Sequence, residues 1–168
     1  MNKSELLAYR SPERAPHCQW FDLRHLLDEV QESLSSELSD KGIKTIVDVP
    51  SKLRVVADRE LMRRALGNLI RNSAEAMPAG GEVVVTGFVG PRGLILEVAD
   101  TGPGLTDNVR QHMFRPHFTT KSGALGMGLA EVQRIARNHG GDVMAANCPE
   151  GGAALTIRIP QQSMQAAA

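Results

Sequence analysis

Asn68 and Asn72 lie four residues apart in NLIRNSAEAM, where Leu69, Ile70, Ala74, Ala76 and Met77 supply the apolar positions of an amphipathic helix. Asn is a poor choice inside a helix, because its short amide competes for the backbone. Positions four apart on a helix are separated by about 40° around the axis, so both amides face the same way. They are either a pair of solvated residues or the wall of a polar site. A polar wall of amides suits a magnesium ion held mainly by phosphate oxygens and water, which needs only one or two further oxygen ligands from protein.

ADTGPGL places Asp100 where a buried strand gives way to Gly102, Pro103 and Gly104. A carboxylate at a strand end above an apolar pocket can accept a hydrogen bond from an amino group, and glycines remove the β-carbons that would block a flat ligand. This is the shape of an adenine site, and equally that of a polar turn. SGALGMGL is a second glycine cluster, running straight into a helix that begins near Met127. Glycines there let backbone N–H groups and the helix dipole meet phosphate oxygens, or simply hinge a lid. Between the clusters, FRPHFTTK offers Phe114 and Phe118 to pin a lid to the body, and Thr119, Thr120 and Lys121 as hydroxyls and a cation for a triphosphate. An exposed charged loop would need no such role.

The elements that must carry these residues follow from periodicity. Leu23, Leu26, Leu27, Val30, Leu34 and Leu38 recur at helical spacing from Asp22 to about Ser39, and Gly42 ends that helix. IKTIVDV and LRVV are β-branched strand candidates on either side of Pro50. Asp58 is placed to cap a second helix running through the asparagines to Pro78. EVVVTGFV and LILEVAD form a hairpin across GPRG. Residues from about Thr101 to Leu125 read as irregular, and a loop that long in a compact chain is usually a functional lid. GLAEVQRIARNHGG is a third helix stopped by Gly140 and Gly141, with DVMAAN and AALTIRIP as the closing strands. The order predicts an α/β fold, one mixed sheet with helices on a single face.

A chain of 168 residues suits one domain, and 19 basic against 19 acidic residues give no bulk attraction to nucleic acid or an anionic membrane. Cys18 and Cys148 have neither disulfide-framework nor zinc spacing. No apolar run approaches the length of a membrane span and the polar N-terminus does not resemble a signal peptide, so a cytoplasmic location is expected. Residues 1–20 read as a linker and 161–168 as a disordered tail around a domain at 21–160.

NLIRNSAEAM, DTGPG, FRPHFTTK and GMGL followed by HGG, in this order and spacing, resemble the N box, first glycine box, F box and second glycine box of the ATP-binding catalytic domain of bacterial sensor histidine kinases. The resemblance covers roughly residues 20 to 160, and the TTK-then-glycine lid is similar to that of sensors paired with nitrogen-regulator-type activators. It implies a two-layer α/β sandwich and binding of ATP with Mg²⁺. By position, Asn72 would hold the metal, Asp100 the adenine amino group, Gly102 and Gly104 the base pocket, and Gly126, Gly128 and Leu129 the phosphates. Thr156, on the last strand, would lie on the pocket floor. The implied partners are a dimerisation and phosphoacceptor domain and, indirectly, a response regulator. The isolated domain would be a monomer that touches neither nucleic acid nor membrane, on a parent that is itself open to membrane anchoring.

Gyrase, mismatch-repair and chaperone ATPases of the same superfamily place a glutamate where this chain has Asn68, as the base that activates water. An amide can orient a group but cannot take its proton. The resemblance therefore implies that Asn68 and Lys121 assist transfer to another acceptor rather than hydrolysis. Two positions depart from the family pattern: Ala124 replaces the first glycine of the second glycine box, and His117 replaces an aromatic in the F box. None of His17, His25, His112, His117 and His139 sits in the family's phosphoacceptor setting; His25 reads as a half-buried helix residue and His139 as a C-terminal helix residue favoured when protonated. The rival readings are a free-standing ATPase or anti-sigma-type serine kinase, and a degenerate interaction module.

Overall fold

The computed structural model describes residues 15–120 and 126–161. Strand β1 (Gln19–Asp22) leads into helix α1 (Leu23–Asp40), whose first turn is capped by Asp22 accepting from His25 N at 3.1 Å. Strands β2 (Ile43–Asp48) and β3 (Arg54–Ala57) follow, then α2 (Arg59–Ala76), β4 (Gly81–Gly90) and β5 (Gly93–Asp100). A short helix α3 (Asp107–His112), then α4 (Gly128–Asn138), β6 (Asp142–Asn147) and β7 (Ala153–Ile159) complete the order.

Five strands form one mixed sheet in the order β2-β4-β5-β7-β6, with β2 parallel to β4 and every other pair antiparallel. The β4–β5 hairpin closes with Gly90 opposite Gly93, and β1 pairs antiparallel with β3 in a separate two-stranded ribbon. Alternation along the strands decides which face is covered. Val83 and Val85 of β4, Leu94, Leu96 and Val98 of β5, and Leu155, Ile157 and Ile159 of β7 are buried in one cluster with the apolar stripes of α1, α2 and α4. The opposite parity, with Ile46, Phe88 and Met144, is exposed. The result is a two-layer α/β fold with its helices on one face.

Four expectations change in detail. The stretch read as wholly irregular contains α3, whose cap is Thr106 accepting from Val109 N at 3.3 Å. None of the helix's own residues is buried, so no apolar stripe marked it in the sequence. Gln19 and Trp20, read as linker, pair with Ala57 and Val56 in β1. His25 is exposed and lies 3.6 Å from Glu29 rather than half-buried. At His139 the expected charge is not what the geometry uses: Nε2 accepts from Asp58 N at 2.9 Å, so the neutral ring carries its proton on Nδ1, 2.7 Å from Ile135 O. Cys18 and Cys148 are free, and among the described residues no helix is long and apolar enough to cross a membrane.

Candidate functional site

Helix α2 is set by its N-cap. Asp58 accepts from Leu61 N at 3.1 Å and from His17 N at 2.9 Å, and Met62, Leu66, Leu69 and Ile70 are buried against the sheet. That burial fixes the helix rotation and turns Asn68 and Asn72 sideways, onto a cavity of about 660 Å³ between α2, the 103–120 segment and the start of α4. The cavity brings together Asn68, Asn72, Gly104, Thr119, Thr120, Gly126, Gly128 and Leu129. Arg71, Glu75, Val109 and Met113 also line it, which the sequence reading did not anticipate. Arg71 and Glu75 flank the asparagines and could have been found by continuing the helical face. Val109 and Met113 come with α3 and carried no such signal.

One end of the cavity is the start of α4. Among the described residues no side chain caps this helix, which leaves its first N–H groups open where Gly128 and Leu129 meet the cavity. Gly126 has φ 66°, and a β-carbon there would come within 2.6 Å of Phe118 O. His117 N donates to Gly126 O at 3.1 Å, closing the base of the intervening segment, with His117 itself at φ 64°. Phe114 and Phe118 are partly buried against the core, with His117 in the aromatic position between them. Lys121 and Ala124 lie outside the described residues.

Asp100 ends β5 at 6% exposure and, like Gly102, is not among the residues lining the cavity, which reaches this turn at Pro103, Gly104 and Leu105. Its Oδ1 accepts from Gly102 N at 2.9 Å and Ala153 N at 3.2 Å, while Oδ2 has no partner among the described residues. A β-carbon on Gly102 would sit 2.9 Å from that same Oδ1, so this glycine makes room for the carboxylate itself. Gly152 is a further requirement the sequence reading missed: at φ 86°, its β-carbon would fall on the Asp100 carbonyl. The signal was present as a glycine pair directly before the last strand. Nearby, burial pushes the Cys148 thiol up, with the Asp100 and Glu97 charges adding to it, so it is no thiolate nucleophile.

Thr156 is not at the cavity. It pairs opposite Glu97, its Oγ1 donates to Glu97 Oε2 at 2.9 Å, and both belong to the parity that faces away from the helices. Ala153, three residues earlier on the same strand, is the position that reaches Asp100. An odd offset along a strand changes faces, and the expectation for Thr156 fails for that reason.

The donor set also defines what kind of metal can sit here. Among the described residues no group of three His, Cys, Asp or Glu side chains could hold an ion. Asn72 lines the cavity without a hydrogen-bonding partner among the described residues, and its amide oxygen is neutral. That set fits a hard cation that arrives already held by phosphate oxygens and water, not a stand-alone protein site.

A family model described as histidine kinase-, DNA gyrase B-, and HSP90-like ATPase matches residues 57–163. The chain belongs to that family. This ATPase-family chain is 33% identical over 166 residues to the sensor histidine kinase ZraS of Klebsiella oxytoca, covering 96% of itself and 35% of that protein. It thus spans about a third of the length of such a curated relative. The catalytic domain of histidine kinase ThkA, in a nucleotide-free form, superposes with a TM-score of 0.78 at 26% identity, over 86% of this chain and 96% of that one. ThkA in complex with the response regulator protein TrrA matches with a TM-score of 0.80 at 28% identity, over 95% of this chain and 46% of that one. The ATPase-family fold is thus the one that histidine kinase catalytic domains use.

Proposed function

We propose that this domain binds Mg·ATP beneath the segment between Thr101 and Met127 and presents the γ-phosphate to a histidine on a separate dimerisation domain. The parent would then pass the phosphate to a response regulator, and the work would be cytoplasmic, where ATP is supplied. The single observation that carries the choice of transfer over hydrolysis is Asn68. Its Nδ2 is committed to Glu131 Oε2 at 2.9 Å and Gly128 O at 3.4 Å, and an amide so placed removes no proton from water.

Asp100 Oδ2 would receive the adenine amino group, and Gly102 and Gly104 would shape the base pocket. Gly126, Gly128 and Leu129 at the open start of α4 would hold phosphate oxygens, with Thr119, Thr120 and Lys121 closing over them. Asn72 would hold Mg²⁺, which supplies charge neutralisation on the phosphates when bound. Phosphoryl transfer asks little else of the protein than such positioning.

Titration with a non-hydrolysable Mg·ATP analogue should give saturable binding; none at millimolar ligand would end this reading. Asn68→Glu should raise phosphate release by the isolated domain. An unchanged rate would remove the argument from that position, and steady release by the wild type would favour an ATPase.

A further inference from the structure

Asn68 is held from behind. Its two partners, the Glu131 carboxylate at 2.9 Å and the Gly128 carbonyl at 3.4 Å, are pure acceptors, so only the amide's NH₂ end can face them. Asn68 also forms the partition between two spaces. On one side is the nucleotide cavity; on the other is a polar depression of about 310 Å³, which Glu131 lines together with Arg63, Arg64 and Ser33. Glu131 does not line the nucleotide cavity. With Nδ2 turned to Glu131, what Asn68 has left for the cavity is its Oδ1.

Glu131 is itself fixed. Its Oε1 pairs with Arg64 of α2 and lies 3.6 Å from Arg134 Nη2, leaving Oε2 for Asn68. A carboxylate in the first turn of α4, beside an open helix start that suits phosphate, carries an electrostatic cost against a polyphosphate. The two guanidinium groups offset it.

Resting on the Mg·ATP reading above, we propose that Glu131 is the positioning residue for Asn68. It locks the amide with its oxygen outward, so Asn68 offers the cavity an acceptor for magnesium or a magnesium-bound water and never a donor to a bare phosphate oxygen. The lock makes ATP affinity depend on Mg²⁺. Released, the amide rotates, its NH₂ reaches phosphate, and the advantage of the metal shrinks.

The test is the ratio of ATP dissociation constants in excess EDTA and in saturating Mg²⁺, measured by calorimetry on the whole chain. Glu131→Ala should cut that ratio by about tenfold or more, the worth of one charge-assisted hydrogen bond. Glu131→Gln in an Arg64→Leu background, which frees its side-chain oxygen to accept from Asn68, should keep the ratio of Arg64→Leu alone. The apo protein supplies a second readout. One Asn68 side-chain NH₂ proton, assigned by its loss in Asn68→Asp, should show a hydrogen-bonded shift in wild type and in that double variant but not in Glu131→Ala. If Glu131→Ala does not fold, Glu131→Asp, too short to span the gap, takes its place. An unchanged ratio in the Ala or Asp variant overturns the lock, as does an equal loss in the double variant, which would mark a role for charge alone. Absence of ATP binding by the wild type would instead overturn the nucleotide-site reading, and this role with it.

Discussion

Asp100 commits one carboxylate oxygen to backbone N–H groups and keeps the other without a partner among the described residues, a division that suits recognition of an amino group. Asp100→Asn should therefore weaken ATP binding about tenfold or more, as expected for a hydrogen bond to a charged group. Affinity for inorganic triphosphate should change by less than about twofold. Equal losses for both ligands in calorimetry would remove Asp100 from the base pocket. Thr156 provides the contrast. Its hydroxyl bonds Glu97 on the far face of the sheet, so Thr156→Val should leave ATP affinity unaltered in the same assay.

Helix α2 is the element on which the site is mounted, and Asp58 is where three pieces of chain meet it. The Asp58 side chain caps α2 and holds His17 N, while its backbone N–H reaches His139 at the end of α4. Burial works against the ionised carboxyl, but the N–H donors of Leu61 and His17 more than offset it and hold it below its ordinary range. A carboxyl held low in the fold stabilises the protein above its unfolded value and loses that contribution as pH falls through the folded one. Asp58→Ala should lower stability by about 1 kcal/mol near neutral pH, about 2–4 °C in melting temperature. Asp58→Asn should keep most of the cap, yet lose less stability than wild type on acidification below about pH 4. Identical acid profiles for the Asp58→Asn variant and the wild type in thermal melts would contradict this assignment.

At the scale of the whole molecule, a two-layer fold leaves one rim where α2, α4 and the 103–120 segment meet, and the cavity is that rim. The residues proposed to bind nucleotide gather at the rim, whereas none of the chain's histidines stands in the family's phosphoacceptor setting. With γ-labelled Mg·ATP the protein should acquire no acid-labile phosphohistidine by itself, and should label a phosphoacceptor dimerisation domain supplied in trans. Self-labelling in a phosphoramidate assay would show that a histidine outside that setting serves as acceptor.

Much of this was legible in residue order. Helical stripes located α1, α2 and α4, the GPRG turn located the β4–β5 hairpin, and the paired amides and glycine clusters marked the cavity, because burial and turn chemistry leave local patterns. The short α3 lacked a buried stripe and left no such pattern. Thr156 was misplaced because a motif locates a strand, whereas only the register against Glu97 says which face a given residue occupies. The partnership of Asn68 with Glu131 lay beyond any local reading. The two are 63 positions apart, and their contact exists only because the core packs α2 against α4 at one rotation of each helix. Sequence alone thus determined which side chains could form a nucleotide site; tertiary packing decided which of them face it and which end of the Asn68 amide does so, since orientation is set by contacts between distant segments.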